Sequence, residues 1–124
     1  MYFIGIDISK FKHDCAVIDD SGEIVTPSWP FTNDSEGFSL FKTLLDSLDA
    51  ETRIGLESTG HYGMHLKLFL ESNNFSFMEF NPLLINRFIK SKSLRKTKSD
   101  SIDCMMIARY LMTVEYKPYP PLLY

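Results

Sequence analysis

The order of segments predicts an α/β fold: a mixed sheet of three antiparallel strands followed by parallel strands, flanked by helices. Three observations carry this prediction. Short apolar runs separated by strong turn signals fill the first 26 residues. After them, segments with apolar side chains at helical spacing alternate with further short apolar runs. The 124 residues, 44% hydrophobic and 23% charged, have the size and composition of one ordinary domain with its own core.

Tyr2–Ser9 and His13–Asp19 read as strands, and Asp19-Asp20-Ser21-Gly22 is a turn leading into a third strand around Glu23–Thr26. Asn33 and Glu36 fit a capping box, with Phe38, Phe41, Leu44, Leu45 and Leu48 following at helical spacing. Arg53–Glu57 is a short buried strand. Tyr62–Ser72 reads as a helix: Met64, Leu66, Leu68 and Leu70 also alternate as a strand would, but length and the lack of β-branched residues favour the helix. Phe75–Phe80 returns to strand, and Pro82 suits the first position of a helix through Leu84, Ile85, Phe88 and Ile89. A last helix, expected to start near Ser99, carries Ile102, Met105, Met106, Ile107 and Leu111. It is apolar on most sides and should be covered by the sheet or by a partner. Lys117-Pro118-Tyr119-Pro120-Pro121 cannot continue a helix, so residues 1–114 are expected to form the domain and 115–124 to begin a linker to a further C-terminal domain. This element order is that of a ribonuclease-H-like fold. Its first strand would be central, with Arg53–Glu57 as its parallel neighbour.

Composition excludes several classes. No apolar stretch approaches membrane-spanning length, and the first residues read as a strand, so no signal peptide is expected. Cys15 and Cys104 lack metal-ligand spacing, so a reduced, cytoplasmic setting is expected rather than a disulfide framework. His13, His61 and His65 form no zinc pattern. The net charge of −3 hides an asymmetry. Six of the 13 basic residues (Arg87, Lys90, Lys92, Arg95, Lys96 and Lys98) fall within 87–98, a segment without an acid. Such a run is often only a solvated face. Here it ends beside two carboxylates, which points to a polyanion docking at an acidic centre.

Four acids define that centre. Asp7 and Glu57 each close a short apolar run, and Asp100 and Asp103 stand three apart at the start of the last helix-like run. Helical spacing would put the latter two on one face. In the predicted sheet all four come to one edge. Carboxylates packed together raise one another's pKa, a conflict that a divalent cation with oxygen ligands removes. Each acid also has a plainer role: Asp7 as a turn cap at a strand end, Glu57 as an acceptor at a helix entry, Asp100 and Asp103 as helix N-terminal residues favoured by the dipole.

Longer motifs carry a resemblance. Gly5-Ile6-Asp7-Ile8-Ser9-Lys10, Glu57-Ser58-Thr59-Gly60-His61-Tyr62, Asn81-Pro82 with Ile85, Phe88 and Ser91, and Arg95-Lys96-Thr97-Lys98-Ser99-Asp100-Ser101-Ile102-Asp103-Cys104 followed by Ile107-Ala108-Arg109-Tyr110 stand in order along nearly the whole chain. In order and spacing they resemble the N-terminal RuvC-like domain of the DEDD transposases of bacterial insertion sequences, the insertion-sequence family one-hundred-ten. The resemblance implies that Asp7, Glu57, Asp100 and Asp103 are catalytic and bind one or two Mg2+ ions, with Mn2+ able to substitute. It implies DNA as substrate, a guide (bridge) RNA, a C-terminal domain bearing a catalytic serine, and a homo-oligomer in the full-length protein. The serines of this chain, including Ser9, Ser58 and Ser99, are not expected to be nucleophiles.

The expected function is therefore magnesium-assisted phosphoryl transfer on DNA during transposition, with segment 87–98 gripping a nucleic-acid backbone. Three alternatives stay open. A stand-alone structure-specific nuclease of the same fold would cut DNA by itself. A small-molecule kinase half of the actin-like fold would need a second glycine-rich phosphate loop, which this chain lacks. A non-catalytic nucleic-acid-binding module would tolerate loss of all four carboxylates.

Overall fold

The computed structural model describes residues 1–57, 60–92 and 103–118. Among them are strands β1 (Tyr2–Asp7), β2 (Lys12–Asp19), β3 (Ile24–Thr32), β4 (Thr52–Glu57) and β5 (Met78–Phe80), and helices α1 (Ser35–Asp46), α2 (Met64–Ser72), α3 (Pro82–Ser91) and α4 (Cys104–Leu111). A 3-10 turn, Gly60–Gly63, precedes α2. The sheet order is β3-β2-β1-β4-β5. β1 is antiparallel to β2 and parallel to β4, and β4 is parallel to β5. The mixed sheet flanked by helices, with β1 at its centre, is the arrangement expected of a ribonuclease-H-like fold.

The period of two along β1 divides the core. Ile4 and Ile6 face a cluster with Phe31, Phe41 and Leu45 from β3 and α1 and with Leu66 and Leu70 from α2. Phe31 and Phe41 stack with ring centroids 4.4 Å apart. Phe3 faces the other layer, where Ile85 and Ile89 of α3 meet Ile107, Ala108 and Leu111 of α4. Both faces of β1 are thus covered, which is why its four inner residues are all buried. The apolar last helix finds its cover on the sheet, against β1, β2 and β4.

Gly5 lets α4 come so close. A Cβ built there would stand 2.2 Å from the Cys104 carbonyl oxygen and 2.4 Å from the Ala108 nitrogen. Only hydrogen fits between β1 and the first turns of α4.

Four element boundaries differ from expectation. β3 runs on to Thr32 through Pro27 and Pro30, because it is an edge strand, where a missing N–H is tolerated; its pairing with β2 is broken by register shifts around Val17. The α1 cap is Asp34, not Asn33: its Oδ1 accepts from Gly37 N at 2.8 Å while the Thr32 hydroxyl donates to it at 2.7 Å. β5 is only three residues long. The described α4 starts at Cys104, with Asp103 as an extended N-cap (φ −106°, ψ 171°), so Asp103 does not lie on a helix face. Asn81 and Pro82 do open α3, Asn81 accepting from Leu83 N at 2.9 Å.

Beyond α4, Tyr116 folds back. Its hydroxyl meets Ser76 Oγ at 2.8 Å, and the Arg53 guanidinium lies 5.1 Å from its ring centre. Among the described residues no helix is long and apolar enough to cross a membrane.

Candidate metal centre

Strand sense decides where the acids meet. β1 and β4 are parallel with Ile6 level with Leu56, so the next residues, Asp7 and Glu57, end their strands side by side at one edge. α4 crosses β1 over Gly5, bringing its N-cap, Asp103, to the same edge. Glu57 is followed by the 3-10 turn, which opens on Gly60 at φ +73°, a conformation natural to glycine.

A fourth carboxylate joins them that sequence reasoning missed. Asp14 is the direct antiparallel partner of Asp7. The signal was present in the hairpin: had β1 and β2 been paired residue by residue, Asp7 and Asp14 would have fallen opposite each other on one face.

The electrostatics follow from this crowding. Burial pushes the Asp7 carboxyl up to about 6, and the charges of Asp14, Glu57 and Asp103 push it the same way. Burial also raises Glu57. Among the described residues neither carboxylate has an ion-pair partner. Asp103 spends one oxygen on its own helix, Oδ1 accepting from Met106 N at 2.9 Å.

Three of the four expected metal ligands, Asp7, Glu57 and Asp103, are therefore brought to one edge. Asp100 lies outside the described residues, as do Ser58, Thr59, Ser99, Arg95, Lys96 and Lys98. Among the described residues no three Asp, Glu, His or Cys side chains stand close enough together to hold an ion. Arg87 and Lys90 on α3, and Lys92 at its C-cap, are exposed and have no carboxylate partner among the described residues.

A second missed element braces the edge. His13 is the one fully buried polar side chain among the described residues. Its Nδ1 accepts from Ser9 N at 3.2 Å, so Nε2 carries the proton and donates to Asn33 Oδ1 at 2.9 Å. Burial lowers its pKa, with the Asn33 bond opposing, and the ring stays neutral. Asn33 Nδ2 donates to the carbonyls of Lys10 (3.1 Å) and Tyr62 (3.4 Å). The loops that follow Asp7 and Glu57 are thereby tied to one node. His13 sits in phase with Cys15 and Val17 on the inner face of β2, so its burial was readable, but its partner 20 residues away was not.

Residues 4–122 match a family model of DEDD transposases of the IS110 type, described as transposase. The pilin gene-inverting protein of Moraxella bovis is 32% identical over 112 residues, covering 87% of this chain and 33% of that protein. Its namesake in Moraxella lacunata is similar to the same extent. A Streptomyces coelicolor protein named "Mini-circle putative transposase for IS117" is 28% identical over 115 residues, covering 90% of this chain and 27% of its own length. The chain thus spans about a third of the length of these relatives.

Proposed function

The chain belongs to the IS110 family of DEDD transposases, and from that premise we propose that it carries the metal-binding part of a DNA strand-transfer site. The observation that carries the reading is the convergence of Asp7 and Glu57 with the α4 cap at one edge, where burial first and the neighbouring charges second raise Asp7. The donor set fits a hard cation: carboxylate oxygens only, with Asp7 and Glu57 half-buried and lacking an ion-pair partner among the described residues. Asp7, Glu57, Asp103 and Asp100 would hold it. Bound Mg2+ or Mn2+ would polarise the scissile phosphate and stabilise the leaving oxygen.

The chain's own residues set the frame. Asp7 and Glu57 leave rigid neighbouring strands, so their spacing is fixed before substrate arrives. The cap bond to Met106 N fixes how Asp103 is presented. Arg87, Lys90, Lys92, Arg95, Lys96 and Lys98 would neutralise phosphates of DNA or of a guide RNA. The nucleophile, a serine in a C-terminal domain, and a homo-oligomeric assembly complete the proposal; some two-thirds of the relatives' length lies outside the matched segment. The gene-inverting names of the Moraxella relatives support DNA as the substrate.

Two experiments test this. Residues 1–124 alone should show no strand exchange and little cleavage of duplex DNA with magnesium or manganese. Efficient cutting that disappears in Asp7→Ala would instead make the chain a self-sufficient nuclease. DNA binding by the chain should be indifferent to sequence and fall steeply with salt. Neutralising the six basic residues of 87–98 should lower both the affinity and the slope of log K against log salt. An unchanged slope would assign the run to solvated surface.

A further inference from the structure

Phe11 is the most exposed large apolar side chain among the described residues, with 76% of its surface open. It stands in the loop between Asp7 and β2, at the edge where the carboxylates meet. The backbone around it is held closely. Ser9 N donates to His13 Nδ1, Asn33 Nδ2 donates to the Lys10 carbonyl, and Asn33 N donates to the Phe11 carbonyl at 2.9 Å. The Ser9 hydroxyl donates to the Lys12 carbonyl. Residues 9–11 are thus fixed by the His13–Asn33 node and Lys12 by the Ser9 hydroxyl, while the one aromatic ring among them is left in solvent.

The residues on either side of Phe11 in sequence are both lysines. Lys10 Nζ lies 5.1 Å from the ring centre, and Lys10 and Lys12 are exposed with no carboxylate partner among the described residues. An exposed ring with Lys10 Nζ beside it and Lys12 next in sequence, on a pre-ordered loop, matches a nucleotide: base on the ring, phosphates on the lysines. A protein partner would more naturally meet a wider apolar patch without the two flanking charges.

We infer that Phe11 is a stacking platform for an unpaired base of the DNA strand entering the carboxylate edge, with Lys10 and Lys12 on the adjoining phosphates. The base must be unpaired, because a base within a duplex has both faces already stacked. This inference rests on the DNA reading above, from which the choice of DNA over RNA at the carboxylate edge is taken.

The test is fluorescence anisotropy of residues 1–124 with labelled single-stranded DNA, duplex DNA and single-stranded RNA of one sequence. Thermal melts of each variant confirm that the exposed substitution leaves the fold intact. Phe11→Ala should weaken single-stranded DNA binding roughly 5- to 100-fold without changing the salt slope. Phe11→Leu should be as weak, and Phe11→Trp should restore binding. Lys10→Gln and Lys12→Gln should each reduce the salt slope by about one. Wild-type binding that is unaffected by Phe11→Ala, rescued by Phe11→Leu, or reduced for RNA or duplex alone would overturn the inference and leave the DNA reading standing. A wild-type chain that binds no nucleic acid would overturn both.

Discussion

Asp7→Asn should give a chain that is more stable at neutral pH and, within a full-length transposase, without activity. The loss of strand exchange should exceed the roughly 10²- to 10³-fold that follows removal of a single oxyanion donor, because a ligand at the reacting phosphate is removed. The stability gain has a pH signature. Asp7 titrates at about 6 when folded against an ordinary 3.8, so the folded state binds the proton more readily than the unfolded chain. Its favourable contribution is full below 3.8 and is lost as pH rises through 6. In metal-free buffer the Tm advantage of Asp7→Asn should therefore be absent near pH 3.8 and complete above about pH 6. His13 acts in the opposite sense: its lowered pKa gives stability above its ordinary 6.5 that is lost as pH falls. His13 is present in both proteins, so the difference between them isolates Asp7. A Tm difference that is flat with pH, or a destabilised Asp7→Asn at pH 7, would remove the carboxylate crowding from the explanation.

Gly5→Ala should be the most damaging single-methyl change in the sheet. The added carbon would press on backbone atoms of Cys104 and Ala108, which cannot rotate aside as a side chain can. Either β1 bends or α4 lifts, and α4 supplies Ile107, Ala108 and Leu111 to the second core layer. The expected cost is about 3 kcal/mol or more, at the upper end of overpacking effects. Lifting α4 also withdraws Asp103 from Asp7, so metal affinity should fall although every proposed ligand is still present. Denaturant unfolding checks the first effect and amide exchange in α4 the second. Wild-type stability with a protected α4 would show that the close approach is not required.

The central pair of strands was legible because each is a short apolar run ending in an acid, and parallel neighbours place such endings at one edge. α3 was legible from Asn81-Pro82, whose preferences are local. The misjudged elements depend on distant partners. β3 outlasts its prolines because no strand among the described residues pairs beyond it. The α1 cap shifted from Asn33 to Asp34 because Asn33 is taken by His13, 20 residues earlier, while Thr32 orients Asp34. Asp103 became a cap rather than a helix-face residue because its carboxylate satisfies Met106 N. Asp14 needed the hairpin register, and the bracing role of His13 needed three loops in place at once. Local chemistry names the acids, whereas long-range pairing decides what surrounds them.

Manganese titrated into the ¹⁵N-labelled chain, followed by paramagnetic broadening of amide signals, tests the carboxylate centre most directly. If Asp7, Glu57 and Asp103 belong to one cation site, the amides of residues 6–8, 56–57 and 103–106 should broaden first. Asp7→Asn should abolish that pattern without changing the rest of the spectrum, and magnesium should compete for it. Broadening confined to other acids such as Asp19 and Asp20, or a pattern around Glu57 and Asp103 that is identical in Asp7→Asn, would contradict the existence of the site.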